Sequence, residues 1–380
     1  MTKPLRVCWF GTWREEYSRN RIMLEGLRRN GVEVVQCHAP LWGSIEDRVK
    51  LAKGGWSGPR FLLRAAAAVL TLTFRFFRTG PWDVLMLGYP GQFDAYLARP
   101  LAWLRRKPLV LDAFMSPYLI ASERGLTRKA PRTALLLHVI EKGGLKLPDL
   151  IIQDTADYAA WMRREFGVKP QRVRLVPTGA DSTLFHPRPA RAPDGLFRVV
   201  YAGTFIPNHG VPDMIRAAIL LKDDPAIRFS FIGEGPDKDE ALRLARDNGL
   251  DQAAFEGWVT PEEMPERLAQ ADLCLGAFGT TPQSLMTVQN KIYESLAMGI
   301  PLLTGDGPAV RSALTHGEHL WLCPRRDPAA LASAVRLLKA DPALRARLGE
   351  KGRARFLEIG TVEAVGALLR RHLEELISTR

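Results

Sequence analysis

The chain has 380 residues, more than one hydrophobic core usually organises, so two domains of similar size are expected. With 46% hydrophobic and 25% charged residues, its composition is that of an ordinary globular protein and excludes a disordered or fibrous chain. The net charge of +12 calls for an anionic partner, but the basic residues are dispersed and no nucleic-acid motif accompanies them, so nucleic acid is not expected.

Buried-strand patterns at 5–11, 32–37, 84–87, 109–112, 150–153 and 173–176 alternate with helical ones, as in a parallel sheet covered on both faces. The first of them is too short for a secretory signal, and a cytoplasmic location is the expectation. Cys8, Cys37, Cys274 and Cys323 are isolated in apolar surroundings without metal-ligand or redox-pair spacing, so they read as reduced core thiols and no metal site is expected.

Gly11-Thr12-Trp13 and the following Tyr17 to Arg21 lie where the first strand turns into a helix, at the sheet edge that binds ligands. Gly11 is therefore a candidate ligand-binding position. Arg19 and Arg21 read either as phosphate contacts or as a solvated helix face. Residues 60–78 combine arginines with a broad apolar surface, and their uncharged run from Ala65 to Phe74 is far short of the ~20 residues that span a bilayer. They read either as a helix in the headgroup region of an anionic membrane or as a core helix with arginines at its rim. Asp112 ends the fourth strand and is a candidate to hydrogen-bond a substrate hydroxyl, the alternative being a cap for the next segment. Asp154 and Thr155, after the fifth strand, are weaker candidates of the same kind.

Pro177 to Pro193 is rich in proline and suits a linker. A second alternation follows, with strands at 197–201, 229–232, 254–255, 273–275, 301–303 and 320–322, and then a helical tail from 328 to about 377. Asn290-Lys291-Ile292-Tyr293-Glu294 to Gly299-Ile300-Pro301 reads as a short helix, a glycine stop, a proline and a buried strand. The amino end of such a helix offers unpaired N–H groups to a diphosphate, and Glu294, one turn inside, can accept hydrogen bonds from ribose hydroxyls. The other reading is an ordinary helix–strand unit with Glu294 as a solvated charge.

This segment resembles the nucleotide-binding helix of the retaining glycosyltransferases of family 4 (glycosyl transferases group 1). Val176-Pro177-Thr178-Gly179-Ala180-Asp181 with Phe185-His186-Pro187 is similar to the interdomain signature of that family. Tyr201-Ala202-Gly203-Thr204-Phe205 resembles the glycine turn that approaches the diphosphate, placing Gly203 and Thr204 there, and Gly233-Glu234-Gly235 is like its second glycine turn. Phe255-Glu256-Gly257-Trp258-Val259 resembles the segment beside the nucleobase, so Trp258 and Val259 are candidate walls of the base pocket; for Trp258 the alternative is core packing. The family often carries a second glutamate eight residues before the one in this helix, where this chain has Met286, and His209 stands at the usual lysine position of the first glycine turn. His209 is a candidate phosphate donor whose protonated form the phosphate would favour, with Lys291 the alternative cation.

The resemblance implies the GT-B fold: two doubly wound α/β Rossmann-like domains whose parallel sheets face a central cleft. It implies an acceptor-binding domain at 1–176, a linker at 177–195 and a nucleotide-sugar-binding domain at 196–360, with 361–380 a helix packing back on the first domain. The implied activity is transfer of a sugar from a UDP- or GDP-linked donor to a hydroxyl of a lipid-linked or polysaccharide acceptor, with retention and without a metal or other cofactor. Asp112, His209 and Glu294 are the candidate catalytic residues. Gly11, Gly203, Thr204, Gly233, Gly235, Trp258, Val259, Asn290, Lys291 and Glu294 are the candidate donor contacts. The rival readings are an inactive sugar-nucleotide-binding protein and an epimerase or phosphorylase on the same fold. A NAD-dependent dehydrogenase is disfavoured, because Gly11 to Glu16 lacks clustered glycines.

Overall fold

A computed structural model of the protein describes residues 3–41, 59–189, 191–192 and 194–379. It contains two compact units, Met1–Pro177 with Val362–Arg380, and Thr178–Thr361. In the first unit β1 (Arg6–Gly11), β2 (Glu33–His38), β3 (Val84–Leu87), β4 (Leu109–Asp112), β5 (Leu150–Gln153) and β6 (Val173–Leu175) form a parallel sheet in the order β2-β1-β3-β4-β5-β6. Its helices are α1 (Ser18–Arg29), α2 (Pro59–Arg78), α3 (Ala95–Leu104), α4 (Pro117–Glu123), α5 (Leu126–Lys129), α6 (Pro131–Gly144) and α7 (Ala156–Phe166). β3, β4 and β5 are buried at every position, which is why they read as continuous apolar runs rather than alternating ones. Side-chain caps start two of the helices: Ser116 Oγ accepts from the Leu119 N–H and Thr155 Oγ1 from the Tyr158 N–H.

In the second unit the sheet runs β12-β11-β10-β7-β8-β9, again parallel. Its strands are β7 (Phe197–Ala202), β8 (Ile227–Ile232), β9 (Ala253–Glu256), β10 (Leu273–Leu275), β11 (Leu302–Gly305) and β12 (Trp321–Cys323). Between and after them lie α8 (Val211–Ile219), α9 (Lys238–Asp247), α10 (Met264–Leu268), α11 (Pro282–Met286), α12 (Asn290–Ala297), α13 (Pro308–Ala313), α14 (Pro328–Ala340) and α15 (Pro342–Ile359). Two apolar layers sandwich this sheet, one centred on Val199, Phe229, Phe231 and Leu338, the other on Val200, Ile292, Leu296, Leu302 and Phe356. The strand order reverses between β7 and β10, and in an open α/β sheet that reversal leaves a crevice outside the carboxyl ends of the strands where ligands bind. The corresponding reversal in the first unit falls between β1 and β3.

The helical tail consists of three helices, Pro328–Ala340, Pro342–Ile359 and Val362–Ser378. Asp341 caps α15 through the Leu344 N–H, and Gly360 ends it before α16 (Val362–Ser378). α16 belongs to the first unit, where Val362, Val365, Leu369 and Leu373 share a core with Ile22, Met23 and Leu27 of α1. The two helices meet backbone to backbone: a Cβ at Gly366 would lie 2.1 Å from the Gly26 oxygen. Arg29 pairs with Glu363 at 2.6 Å, and Arg370 donates to the Asn30 carbonyl at 2.6 Å.

α2 buries Ala68, Leu72 and Phe76 and leaves Leu62, Leu63, Val69, Leu70, Phe74 and Phe77 exposed. At about 3.6 residues per turn these six exposed side chains share one face, and Arg60, Arg64, Arg75 and Arg78 fall together along one of its edges. Arg64 and Arg75 donate to the Leu41 and His38 carbonyls, and Arg78 lies over the Phe74 ring. No helix among the described residues is long and apolar enough to cross a membrane.

Candidate functional site

At the reversal point of the second sheet, β7 runs into Gly203-Thr204-Phe205, with Gly203 at φ +150°. Beneath this turn lies the side chain of Lys291, the second residue of α12 and only 8% exposed. A Cβ at Gly203 would sit 2.4 Å from Lys291 Nζ, so glycine makes room for the ammonium. The groups beside Lys291 Nζ are neutral: it donates to Tyr201 Oη at 3.1 Å, His209 Nδ1 lies 3.3 Å away, and the Tyr201 ring centroid is 4.2 Å away. Burial brings the Lys291 pKa down to about 7 against the opposing pull of Glu294. A lysine in this position is costly to charge in the empty protein, and an anion at the turn would restore its charge.

His209 is half-buried and its pKa is pushed well below the usual histidine value, by burial first and then by Lys291. Its Nδ1 lies 2.6 Å from the Thr204 carbonyl, which can only accept, so Nδ1 carries the hydrogen of a neutral ring. With no anion beside it the His209 ring is neutral, and the cation beside the glycine turn is Lys291, the alternative named from the sequence. Tyr201 Oη donates to the same Thr204 carbonyl at 2.9 Å, fixing the turn from below.

The second glycine turn packs onto the first. A Cβ at Gly233 would lie 2.1 Å from the Gly203 oxygen and one at Gly235 2.3 Å from the Phe205 oxygen. Both glycines sit at positive φ, and the Phe205 N–H donates to the Glu234 carbonyl at 2.9 Å. Close approach here is thus to the neighbouring turn, so Gly233 and Gly235 shape Gly203 and Thr204 rather than leaving an open cradle of their own. Lys238 braces the second turn through the Gly233 carbonyl at 3.1 Å and Glu234 at 2.6 Å, and donates to the Glu256 carbonyl of β9 at 3.2 Å.

α12 starts at Asn290 after Gln289, whose side chain makes no cap hydrogen bond. Glu294 is half-buried on the helix that carries Lys291 and Asn290, one turn from its amino end. Met286, at the position where the family often carries a second glutamate, ends α11 and is buried. Trp258 is 51% exposed, which removes the core-packing alternative, while Val259 packs against the apolar layer containing Ile292. A further cation at this edge has no motif to announce it. Arg325 donates to the Gly279 carbonyl at 2.6 Å, Ser284 Oγ at 2.9 Å and the Gly305 carbonyl at 3.1 Å, stitching together the loops after β10, β11 and β12. Burial brings its pKa down to about 10, with Asp306 opposing.

The first unit's reversal point has the opposite charge. Asp94 Oδ2 accepts from the Thr12 N–H at 2.7 Å, and the Thr12 hydroxyl donates to the same carboxylate at 3.0 Å. A Cβ at Gly11 would lie 2.4 Å from that oxygen, so Gly11 accommodates Asp94, not a ligand phosphate. Burial pushes Asp94 up to about 7, with the Thr12 hydrogen bonds opposing. Gly11 is therefore corrected from a donor contact to a seat for an internal carboxylate.

Asp112 is also corrected. It and Arg19 are both fully buried, and Arg19 Nε and Nη2 reach both carboxylate oxygens at 2.8–3.0 Å. The guanidinium further donates to the Val176 carbonyl at 3.2 Å and lies 4.6 Å from the Phe114 ring centroid. With both oxygens engaged by Arg19, Asp112 anchors α1 to β4 and β6 rather than contacting a substrate hydroxyl, and Arg19 is not a phosphate contact. Arg21 is exposed.

Residues 197–341, which span β7 to α14, match the family model of the glycosyl transferases group 1. The second unit belongs to this family. Among curated relatives, the lipopolysaccharide core biosynthesis glycosyltransferase LpsD of Rhizobium meliloti is 30% identical over 221 residues, covering 55% of this chain and 60% of LpsD. The chain spans about half to three-fifths of the length of the first curated relatives it matches. Among solved structures, sucrose-phosphate synthase from Thermosynechococcus elongatus superposes with a TM-score of 0.72 at 18% identity, covering all of both chains. Anabaena Alr3699/HepE in complex with UDP-glucose superposes with a TM-score of 0.67 at 15% identity, over 99% of this chain and 100% of HepE. The fold is the GT-B class that the motifs imply.

Proposed function

We propose that the protein is a retaining, metal-independent glycosyltransferase that moves a sugar from a UDP- or GDP-linked donor to a hydroxyl of a lipid-linked or polysaccharide acceptor. The observation that carries this reading is Lys291, a buried lysine under the Gly203 turn whose neighbours Tyr201 and His209 are neutral. In the proposed complex the donor diphosphate lies against the Gly203–Thr204 backbone and the amino end of α12, Glu294 accepts from the ribose hydroxyls, and Trp258 and Val259 flank the base. As the sugar–phosphate bond breaks, negative charge grows on the departing diphosphate, and Lys291 with the helix N–H groups stabilises it more than the ground state. The acceptor hydroxyl attacks from the face the phosphate leaves, and the phosphate takes its proton, so no protein nucleophile is needed. The UDP-glucose held by Alr3699/HepE and the lipopolysaccharide role in the name of LpsD support a nucleotide-sugar donor and a cell-envelope acceptor.

The exposed apolar face of α2 with its arginine edge supports peripheral contact with the anionic inner face of the plasma membrane. Met286 in place of a carboxylate favours one second reading, a sugar-nucleotide-binding protein without turnover. A thermal-shift screen of nucleotide sugars, followed by transfer of the labelled sugar to a membrane extract, separates the two. Stabilisation with transfer supports the enzyme, stabilisation without transfer supports the binding protein, and no stabilisation by any nucleotide sugar removes both.

A further inference from the structure

At the carboxyl edge of the second sheet the loops after β10, β11 and β12 meet at one guanidinium. Arg325, just past β12, donates through Nε to the Asp306 carbonyl at 2.5 Å and through Nη2 to the Gly305 carbonyl at 3.1 Å. Its Nη1 donates to the Gly279 carbonyl at 2.6 Å and to Ser284 Oγ at 2.9 Å. These four acceptors are uncharged, and the Asp306 carboxylate is engaged by Arg311 at 2.5–2.6 Å. A rigid fork of donors reaches several loops at once, which a single ammonium cannot do. Ser284 extends the contact to a fourth loop, the one after β7. Its Oγ accepts from Arg325, and its one hydrogen goes to the Asn208 carbonyl at 2.5 Å.

The loop after β7 is seated directly on the segment that Arg325 holds. A Cβ at Gly279 would lie 2.1 Å from the Pro207 oxygen and 2.5 Å from the Asn208 oxygen, and one at Gly210 2.6 Å from the Gly279 nitrogen. The Phe278 N–H donates to the His209 carbonyl at 2.8 Å. With backbone packed on backbone no side chain is there to yield, so a shift of Gly279 or Ser284 is passed to Asn208 and His209. His209 Nδ1 in turn lies 3.3 Å from Lys291 Nζ. The titratable groups facing Lys291 are Tyr201, His209 and, on its own helix, Glu294. Tyr201 is fixed by β7 and Glu294 by α12, whereas His209 stands in a loop and depends on these contacts for its place.

We propose that Arg325 is a positioning residue for the nucleotide site: through Gly279 and Ser284 it holds the Asn208–His209 segment against Lys291 and keeps water from the ammonium until an anion arrives. Its effect on nucleotide affinity rests on the glycosyltransferase reading; its hold on Lys291 does not. The test uses the full-length protein with lysine carbon-13-labelled at Cε, the Lys291 signal being the one lost in Lys291→Met. NMR follows its titration without nucleotide in the wild type, Ser284→Ala, Arg325→Met and Arg325→Lys, and calorimetry reads UDP affinity at about pH 6.5. Ser284→Ala, which removes one oxygen and keeps Arg325, moves the Lys291 titration up by about one pH unit or more as water reaches the ammonium, and weakens UDP about tenfold. Arg325→Met does the same. Arg325→Lys keeps the charge but not the fork, and titrates and binds like Arg325→Met. A Lys291 titration in Ser284→Ala that matches the wild type overturns the proposal, even with a lowered melting temperature, because a purely structural loss does not move it. An Arg325→Lys variant indistinguishable from the wild type also overturns it, since charge alone would then suffice. Absence of UDP binding to the wild type would overturn the donor reading and leave the titration result standing.

Discussion

Replacing Lys291 with methionine separates the stability of the empty protein from its affinity for a nucleotide. Lys291 falls from an ordinary 10.5 to about 7 in the folded chain, so the unfolded chain binds the extra proton between those values. The cost of burying the ammonium is fully present below about pH 7 and vanishes as pH rises through 10.5; at about 1.4 kcal/mol per pH unit it is about 5 kcal/mol. Methionine removes that cost and loses an ammonium–ring contact with Tyr201 that is worth about 1–2 kcal/mol. Lys291→Met should therefore melt at a higher temperature than wild type at pH 6.5. The same change should weaken UDP by roughly 10- to 150-fold, the value of charged hydrogen bonds of about 1.5–3 kcal/mol.

The pH dependence of UDP binding follows with its sign. Below about pH 7 the ammonium is already present and UDP binds best; above it, binding must take up a proton, and affinity falls by up to about tenfold per pH unit. His209, held well below the ordinary range, does not titrate in this window. Isothermal titration calorimetry at about pH 7, 8 and 9, in buffers of different ionisation enthalpy, reads both the affinity and the proton uptake. An affinity flat across that range, or a Lys291→Met variant that binds UDP as wild type does, would refute the reasoning.

Glu294→Ala should weaken UDP about tenfold without changing the circular dichroism spectrum, and unchanged affinity would remove its ribose role. Asp112→Ala leaves Arg19 charged, fully buried and without its carboxylate, so it should cost about 3–5 kcal/mol in denaturant unfolding; a loss below about 1 kcal/mol would show that Arg19 finds another partner. Replacing Arg64, Arg75 and Arg78 together with Gln should reduce sedimentation with vesicles containing phosphatidylglycerol, more so at low salt. Equal binding by the variant would remove α2 as the contact.

The strands were legible because their signal is local: Leu150-Ile151-Ile152-Gln153 is buried on both faces, and only apolar side chains suit that environment over so short a run. The two-sheet architecture followed from the alternation of such runs with helices. The helical tail was legible as helix, but its division at Asp341-Pro342 was not drawn, although an aspartate before proline is a helix-start signal and Asp341 does cap α15. Site roles were harder to read because they depend on partners distant in sequence. Gly11 reads as a ligand position in the sequence because Asp94, which sits against it, lies 82 residues away from the Thr12 it binds. Asp112 drew a substrate role because nothing near it in sequence announces Arg19, 93 residues earlier. The neutral state of His209 is set by burial and by Lys291, 82 residues later. Arg325, whose hydrogen bonds here are to carbonyls and one serine hydroxyl, carries no pattern that could have singled it out.

A crystal structure of the protein with UDP tests the central assignment most directly. The account predicts the diphosphate within hydrogen-bond distance of the Gly203–Thr204 backbone and Lys291 Nζ, with the ribose hydroxyls donating to Glu294. UDP bound instead at the Gly11–Thr12 turn, displacing Asp94, would contradict it.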